Sequence, residues 1–508
     1  MLILAVMLIS VLGCGGEEKG SSSKGASIPS KADVRNDRGV MPTWLGSAAR
    51  QFKDQPSPPL GINVVLIVVD TLRADRLGAY GYSKNTSPRI DAIAKESTLF
   101  YRYYAASPWT APSFGTMFTG MSPSLHMGGQ VLNENDAPVQ KQSARSLGGF
   151  SLYPLRSDIK TLAEQLDCCV DSSAAFVSNP FLHPSLGFNR GFSTYSYHVT
   201  HRPAKDITDD AIAWVKQNAQ HQFFTVIHYM DTHQPYAPDQ SFRREFFPMD
   251  GGRLDTSVQQ SFGQLQRMNL TADELAFLKG LYDAQIHTVD AQIGRVVDTM
   301  ASLDLLDNSW LIITADHGEE HFDHGSFFHG LQYTDEVVRI PLIIRAPGGQ
   351  WGAGNQVAYS ACQQDLSPTI MGIFGTMAPS QAEGKSLMPL MTGEEKADRT
   401  CYMEMSMLKD ARGSNIENQY RKHALFDGRY KVIQSLDGSD TRVYDLDNDA
   451  LEKHMLSASH PGAFKSIRAL HQYVRNRQPS LDKRPLTNAP ATLPDDVGES
   501  LKNLGYVR

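Results

Sequence analysis

Apolar residues crowd into a few nearly unbroken runs along this chain. The clearest are NVVLIVV ahead of Asp70, FFTVIHY at 223–229, WLIITA ahead of Asp316, and the run at 340–345. Continuous β-branched and aromatic stretches of this length predict strands buried on both faces, as in a parallel sheet. Shorter runs at 100–104 and 174–179 predict two more strands. Between them the spacing turns helical, over 87–98, 162–166, 207–218 and 275–303. In the last of these, Ile286, Val289, Ile293, Val296 and Val297 share one face. Strand–helix alternation predicts a doubly wound α/β domain over residues 60–377, with a mostly parallel central sheet flanked by helices. The texture changes after 377. Short strands around Tyr430–Ile433 and Arg442–Tyr444, with a helical stretch at 471–477, predict a small α+β subdomain over 378–480. A polar, Pro-rich tail follows at 481–508.

The strand ends are where the polar chemistry collects. Asp70 closes the first run, and Asp316-His317-Gly318 closes another. His228, Asp231 and His233 cluster at the end of a third, and His321, His324 and His329 follow in GEEHFDHGSFFHG. Open α/β sheets build their sites at the carboxyl ends of strands. Carboxylates beside imidazoles there are a donor set for a divalent cation. The stretch SPWTAPSFGTMFTG adds a different element. Thr110 precedes Ala111-Pro112-Ser113, a helix start, while Phe114, Met117 and Phe118 form an apolar face and Gly120 a stop. That places the Thr110 hydroxyl at a helix N-terminus, where N–H groups and the dipole favour an anion. Taken alone, Thr110 would be an ordinary helix cap.

Composition removes some functions and adds a location. The 508 residues carry a net charge of −7, so no basic surplus exists for phosphate backbones and nucleic acid is not an expected partner. Residues 1–14, MLILAVMLISVLGC, combine an apolar core with a small-residue end, as in a secretory signal. Leu12-Gly13-Cys14 resembles a lipoprotein lipobox, and 15–59 reads as a flexible linker. The expectation is an exported bacterial lipoprotein, in the periplasm or at the cell surface, anchored to the outer membrane through its N-terminal lipid only. Cys168, Cys169, Cys362 and Cys401 form no CxxC pair, and their disulfide state is not readable.

Several segments together carry a family likeness. NVVLIVVDTLRADRLGAYGY, SPWTAPSFGTMFTG, VIHYMDTHQPY, YDAQIHTVDAQIG, TADHGEEHFDHGSFFHG, RIPLIIRAPGG and DLSPTI occur in order. They resemble the sulfatase family within the alkaline phosphatase superfamily. The resemblance implies the corresponding fold and a metal-dependent hydrolase of sulfuric or phosphoric esters. It implies Asp70, Asp316 and His317 as ligands of one divalent metal ion, Thr110 at the nucleophile position, and His233 and His329 as substrate-anion or leaving-group residues. His228 and His324 are secondary candidates. The substrate class is a small-molecule or glycan sulfate or phosphate ester.

Three departures from the family pattern bear on chemistry. Sulfatases oxidise the Cys or Ser of C/S-x-P-x-R to formylglycine, but here Thr110 and Phe114 occupy the first and last positions, so formylglycine is not expected. The usual Asp-Asp pair is Asp70-Thr71. His317 stands where many sulfatases have Asn, which favours Zn or Mn over Ca or Mg. The set Asp70, Thr110, Asp316 and His317 resembles superfamily members with a Thr nucleophile. Two alternatives therefore stand beside the hydrolase: a phosphoethanolamine- or glycerophosphate-type transferase, and a degenerate sulfatase fold that binds anionic glycans.

Overall fold

The apolar runs lie side by side in one sheet. Its strands are Asn63–Val69 (β1), Thr98–Tyr104 (β2), Ser172–Val177 (β3), Thr194–Tyr197 (β4), Phe223–Tyr229 (β5) and Ser309–Ala315 (β6). After the small hairpin Glu320–His321 (β7) and Phe327–Phe328 (β8) come Arg339–Arg345 (β9), Asn355–Val357 (β10) and Ala361–Cys362 (β11). This is a computed structural model, and it describes residues 62–129, 152–249, 251–254, 262–265, 267–349, 351–405, 422–482, 491 and 494–503. The leader, Cys14 and the linker lie outside the described residues.

The sheet order is β10-β2-β9-β6-β1-β5-β3-β4, with β11 also on β2. β1 occupies the centre, parallel to β5 and β6, and every residue of these three strands is buried. Their register sets Val69 opposite both Tyr229 and Ala315. Asp70, Met230 and Asp316 therefore leave the sheet at one level, which brings polar residues far apart in sequence to one place. One strand departs from the parallel pattern. β9 runs antiparallel to both β2 and β6. No long helix separates β6 from β9, only the β7–β8 hairpin and the one-turn helix Asp335–Val338. A parallel return would need a longer crossover.

Helices cover the faces. Those that matter below are Pro88–Lys95 (α1), Thr110–Thr119 (α2), Ala204–Asn218 (α3) and Ala272–Ser302 (α4). α4 begins in a capping box, with Thr271 accepting from Glu274 N–H and the Glu274 side chain returning to Thr271. It packs against α1 and α3. α2 is buried along its whole length and stops at Gly120, whose φ of 69° is the left-handed conformation that glycine adopts without strain.

The C-terminal unit is a four-stranded antiparallel meander, Cys401–Glu404 (β12), Lys422–Phe426 (β13), Tyr430–Ser435 (β14) and Thr441–Asp445 (β15). The helix Pro461–Asp482 (α5) lies on it, burying Ala463 and Leu470 against Tyr402, Leu425, Val432 and Val443. A Cys362–Cys401 disulfide ties β11 to β12, whereas Cys168 and Cys169 are free. A buried ionic cluster seals the joint. Lys431 Nζ lies 2.7 Å from Asp335 Oδ1 and 2.8 Å from Glu452 Oε1, and Arg339 Nε lies 3.1 Å from Asp335 Oδ2.

Candidate active site

Asp70, Thr110, Asp316 and His317 meet at the carboxyl end of the central strands, all with no exposed surface. Ligand atoms of Asp70, Asp316 and His317 lie within 4.8 Å of one another. His317 Nε2 is 3.4 Å from Asp316 Oδ2, 3.8 Å from Asp70 Oδ1 and 3.4 Å from Thr110 Oγ1. Each of the three has a prepared orientation. His317 Nδ1–H donates to the Gly318 carbonyl at 2.9 Å, which leaves the lone pair on Nε2. Asp316 Oδ1 accepts from the backbone N–H of His317 at 2.8 Å and of Thr71 at 3.2 Å. Asp70 Oδ2 accepts from Asn179 Nδ2 at 2.8 Å and lies 3.3 Å from His228 Nε2.

What remains is two carboxylate oxygens with no partner, Asp70 Oδ1 and Asp316 Oδ2, both cut off from solvent. Burying an ionised carboxylate without compensation is costly. Burial and the neighbouring Asp70 push the Asp316 carboxyl well above its usual range. For Asp70, burial works the same way, but the contact with His228 and the fields of His233 and His317 hold it below. Two oxygens and one imidazole nitrogen aimed at a common point are a donor set that fits a divalent cation.

Thr110 is not a cap in this structure. The residue in the cap position is Trp109, without a side-chain capping bond, and Thr110 is the first residue of α2. Its hydroxyl instead faces His317 Nε2 and, at 3.5 Å, Asn179 Nδ2. Pro112 and the apolar residues behind it fix the helix, so the hydroxyl is presented from a rigid element.

Two further histidines extend the site. The His317 and His329 ring centres are 4.4 Å apart, and those of His329 and His233 are 5.0 Å apart. His329 Nδ1 bonds Glu319 Oε1 at 3.1 Å, and His233 Nδ1 donates to the Gln234 carbonyl at 2.5 Å. The carbonyl acceptor places the His233 lone pair on Nε2. Burial lowers the pKa of both rings, for His329 with help from His317 and His233. An anion entering beside them would act in the opposite direction.

The remaining candidates sort by their contacts. His228 touches Asp70 and lies edge-on to Phe114, with ring centres 5.1 Å apart. Phe114 thus packs on an imidazole where the family pattern has Arg. His321 is committed elsewhere, with Nε2 2.8 Å from the Tyr236 hydroxyl and Nδ1 3.3 Å from Arg73. His324 is bound to Glu320 and to the Leu451 carbonyl rather than to this cluster. Asp231 accepts from Ala204 N–H and so caps α3.

Thr71, where a second carboxylate would stand, has its hydroxyl on the Thr232 carbonyl at 2.7 Å and its carbonyl on the Tyr282 hydroxyl at 2.7 Å. It holds φ at 56°, a conformation that costs a β-branched residue about 1–3 kcal/mol. Those bonds, with its N–H on Asp316, keep it there. Gly318 has a steric reason: a Cβ there would meet the Glu336 carbonyl at 2.1 Å. Asn179 and Gln363 were not candidates from sequence. Gln363 donates to the Asp316 carbonyl at 3.0 Å and accepts from Ala106 N–H at 2.9 Å, bracing one ligand against the loop before α2.

Comparison with known proteins gives this geometry a family. The "Uncharacterized sulfatase YidJ" of Escherichia coli is 24% identical over 436 residues, covering 78% of this chain and 82% of that protein. A delta 4,5-hexuronate-2-O-sulfatase of Bacteroides thetaiotaomicron is 22% identical, over 81% of this chain and 87% of its own. Among solved structures, a phosphonate monoester hydrolase from Silicibacter pomeroyi superposes with a TM-score of 0.65 at 21% identity, covering 83% of this chain and 96% of that one. An N-sulphoglucosamine sulphohydrolase C-terminal model matches residues 322–478. The sulfatase family model matches residues 62–167 and 169–376, most of the chain, and the protein belongs to the sulfatase family of ester hydrolases.

Proposed function

We propose that this sulfatase-family hydrolase attacks phosphoryl esters through the unmodified hydroxyl of Thr110, at a divalent cation held by Asp70, Asp316 and His317. The observation that carries the reading is the position of Thr110 Oγ1, 3.4 Å from His317 Nε2 at the point where the orphaned carboxylate oxygens converge. The bound cation, Zn or Mn by the donor set, would supply Lewis-acid polarisation and lower the pKa of the attacking hydroxyl. The chain does the rest. The N-terminus of α2 directs backbone N–H groups and a positive dipole end toward an anion. Asn179 holds Asp70 and Thr110 in register. His233 or His329, protonated once an anion is bound, gives its proton to the departing oxygen.

The reaction has two halves. Thr110 Oγ gives up its proton to solvent and forms a bond to phosphorus as the ester oxygen leaves with the histidine's proton. Water then attacks the same phosphorus, breaks its bond to Oγ, and one of its protons restores the Thr110 hydroxyl. A formylglycine expels sulfate by collapse of its gem-diol, a route that Thr110 lacks. Phosphoryl substrates should therefore turn over faster than sulfate esters. The relatives' names point to glycans as a substrate class, and a phosphorylated or sulfated glycan is within this reading, as is a small-molecule ester. Quenching turnover with acid and mapping the modified peptide should show phosphorylation at Thr110. A formylglycine-derived mass, or label on another residue, would refute it.

The proposed location is that of an exported lipoprotein anchored to the outer membrane at Cys14. The leader sequence and the Cys362–Cys401 disulfide, which suits an oxidising compartment, support it. Cys14→Ala should move the protein from the membrane to the soluble fraction. Unchanged fractionation, with no acyl group on Cys14, would reject the anchor.

A further inference from the structure

Outside the active site, a second group of side chains among the described residues brings metal-ligating atoms within 4.8 Å of one another: Glu320, His324 and Glu336. They come from β7, from the turn after it, and from the one-turn helix before β9. His324 Nδ1 is 2.7 Å from Glu320 Oε1 and 3.4 Å from Glu336 Oε2. We propose that these three residues form a second, structural divalent-cation site, for Zn or Mn, that fastens the hairpin leading to His329 to the one-turn helix before β9.

Two observations support a cation there. Glu336 Oε2 is closed to solvent and accepts no hydrogen bond, although its side chain is only 11% exposed. A buried carboxylate oxygen normally has a partner, and a metal ion supplies one. The imidazole is also oriented as a ligand. His324 Nε2–H donates to the Leu451 carbonyl at 3.0 Å, which directs Nδ1 at the two carboxylates. Metal-bound histidines use this arrangement, with the second ring nitrogen on a carbonyl. His317 shows it in mirror form, with Nδ1 on Gly318. The Thr334 hydroxyl likewise donates to Glu320 Oε1 at 2.8 Å and fixes that carboxylate.

Leu451 belongs to the segment after β15, so the His324 ring that would hold the ion also carries a hydrogen bond to the C-terminal unit.

Metal content of the full chain decides the matter. The protein is stripped with chelator, reloaded with Zn alone, desalted and measured by mass spectrometry of the metal. Wild type should retain two equivalents. His324→Ala and Glu336→Gln should each retain one, and Asp316→Asn should retain the other. Glu336→Gln keeps the side-chain shape and guards against a folding failure in His324→Ala, with thermal unfolding as the check. One equivalent in wild type, unchanged in both variants and lost in Asp316→Asn, would overturn the second site. So would two equivalents that persist in both variants, or no bound Zn in wild type. The first of these outcomes would leave the catalytic cation standing.

Discussion

Two pairs of buried carboxylates in this protein carry opposite solutions to the same electrostatic problem. Asp335 and Glu452, at the joint with the C-terminal unit, face Lys431 and Arg339 at 2.7–3.1 Å. Asp70 and Asp316 face each other and a set of histidines, with no Lys or Arg in contact among the described residues. Both pairs are almost fully buried. The first pair is balanced by the chain itself, which makes it architecture. In the second, the balancing charge is left to something the chain binds, which makes it a site. The difference predicts that mutations around the two pairs fail differently.

The sharpest contrast is in activity. Thr110→Ala should lower kcat/KM for a phosphoryl ester by at least about a thousandfold, while Thr110→Ser keeps most of it. Neither should move the unfolding midpoint much, since the hydroxyl makes only long contacts. Lys431→Met should do the reverse. Leaving Glu452 without its cation, and Asp335 with Arg339 alone, should destabilise the fold by about 3–5 kcal/mol in denaturant titrations. Turnover per folded molecule should be retained. If Lys431→Met were neutral to stability, the distinction between the two pairs would fail.

Asn179→Ala is the next test. It removes the donor that orients Asp70, and an outer-shell loss of this kind costs about 10–100-fold in metal affinity or activity. Smaller still is the stability effect of Asp316→Asn in metal-free protein, within about 1 kcal/mol or stabilising, because the Asn oxygen keeps both backbone bonds while a buried like charge disappears. A large loss of stability there would mean that Asp316 is architectural after all.

A single carboxylate provides the mildest comparison. Asp290 on α4 accepts only from the backbone N–H groups of Arg89 and Ile90 at the start of α1. Burial raises it to about 6, against the lowering effect of those bonds. Its folded pKa thus lies above the unfolded one, so its contribution is greatest below the ordinary value of 3.8 and is lost as pH rises through about 6. Asp290→Asn should flatten that part of the stability–pH curve.

How much of this could be read from the sequence varies with the distance over which each feature is determined. β1, β5 and β6 were legible because a strand buried on both faces must be apolar throughout. Their ends were legible because Asp70 and Asp316 interrupt those runs. Placing strand ends on one edge put Asp70, Asp316 and His317 near one another, whereas Thr110 joined them only through the family resemblance. β9 read as a strand but not as an antiparallel one, since direction depends on the connection rather than on its own residues. Asn179 did stand at the end of a predicted strand, but one amide there has many uses. Gln363 gave no local signal, because its role is set by Asp316 and Ala106, both distant in sequence. By residue type alone His321 looks like His329; the family resemblance singled out His329, and Tyr236 and Arg73, packed around His321, give the physical reason. The Cys362–Cys401 pairing and the Lys431 cluster also depend on how the C-terminal unit docks, which no periodicity encodes.

The measurement closest to the central claim compares kcat/KM for an aryl phosphodiester or phosphonate ester with that for the matching aryl sulfate. It uses one Zn- or Mn-loaded preparation, wild type and Thr110→Ala side by side. Thr110 acting as an unmodified nucleophile predicts faster turnover of the phosphoryl ester and loss of that turnover in Thr110→Ala. Sulfate hydrolysis outrunning phosphoryl hydrolysis, or undiminished activity in Thr110→Ala, would contradict it.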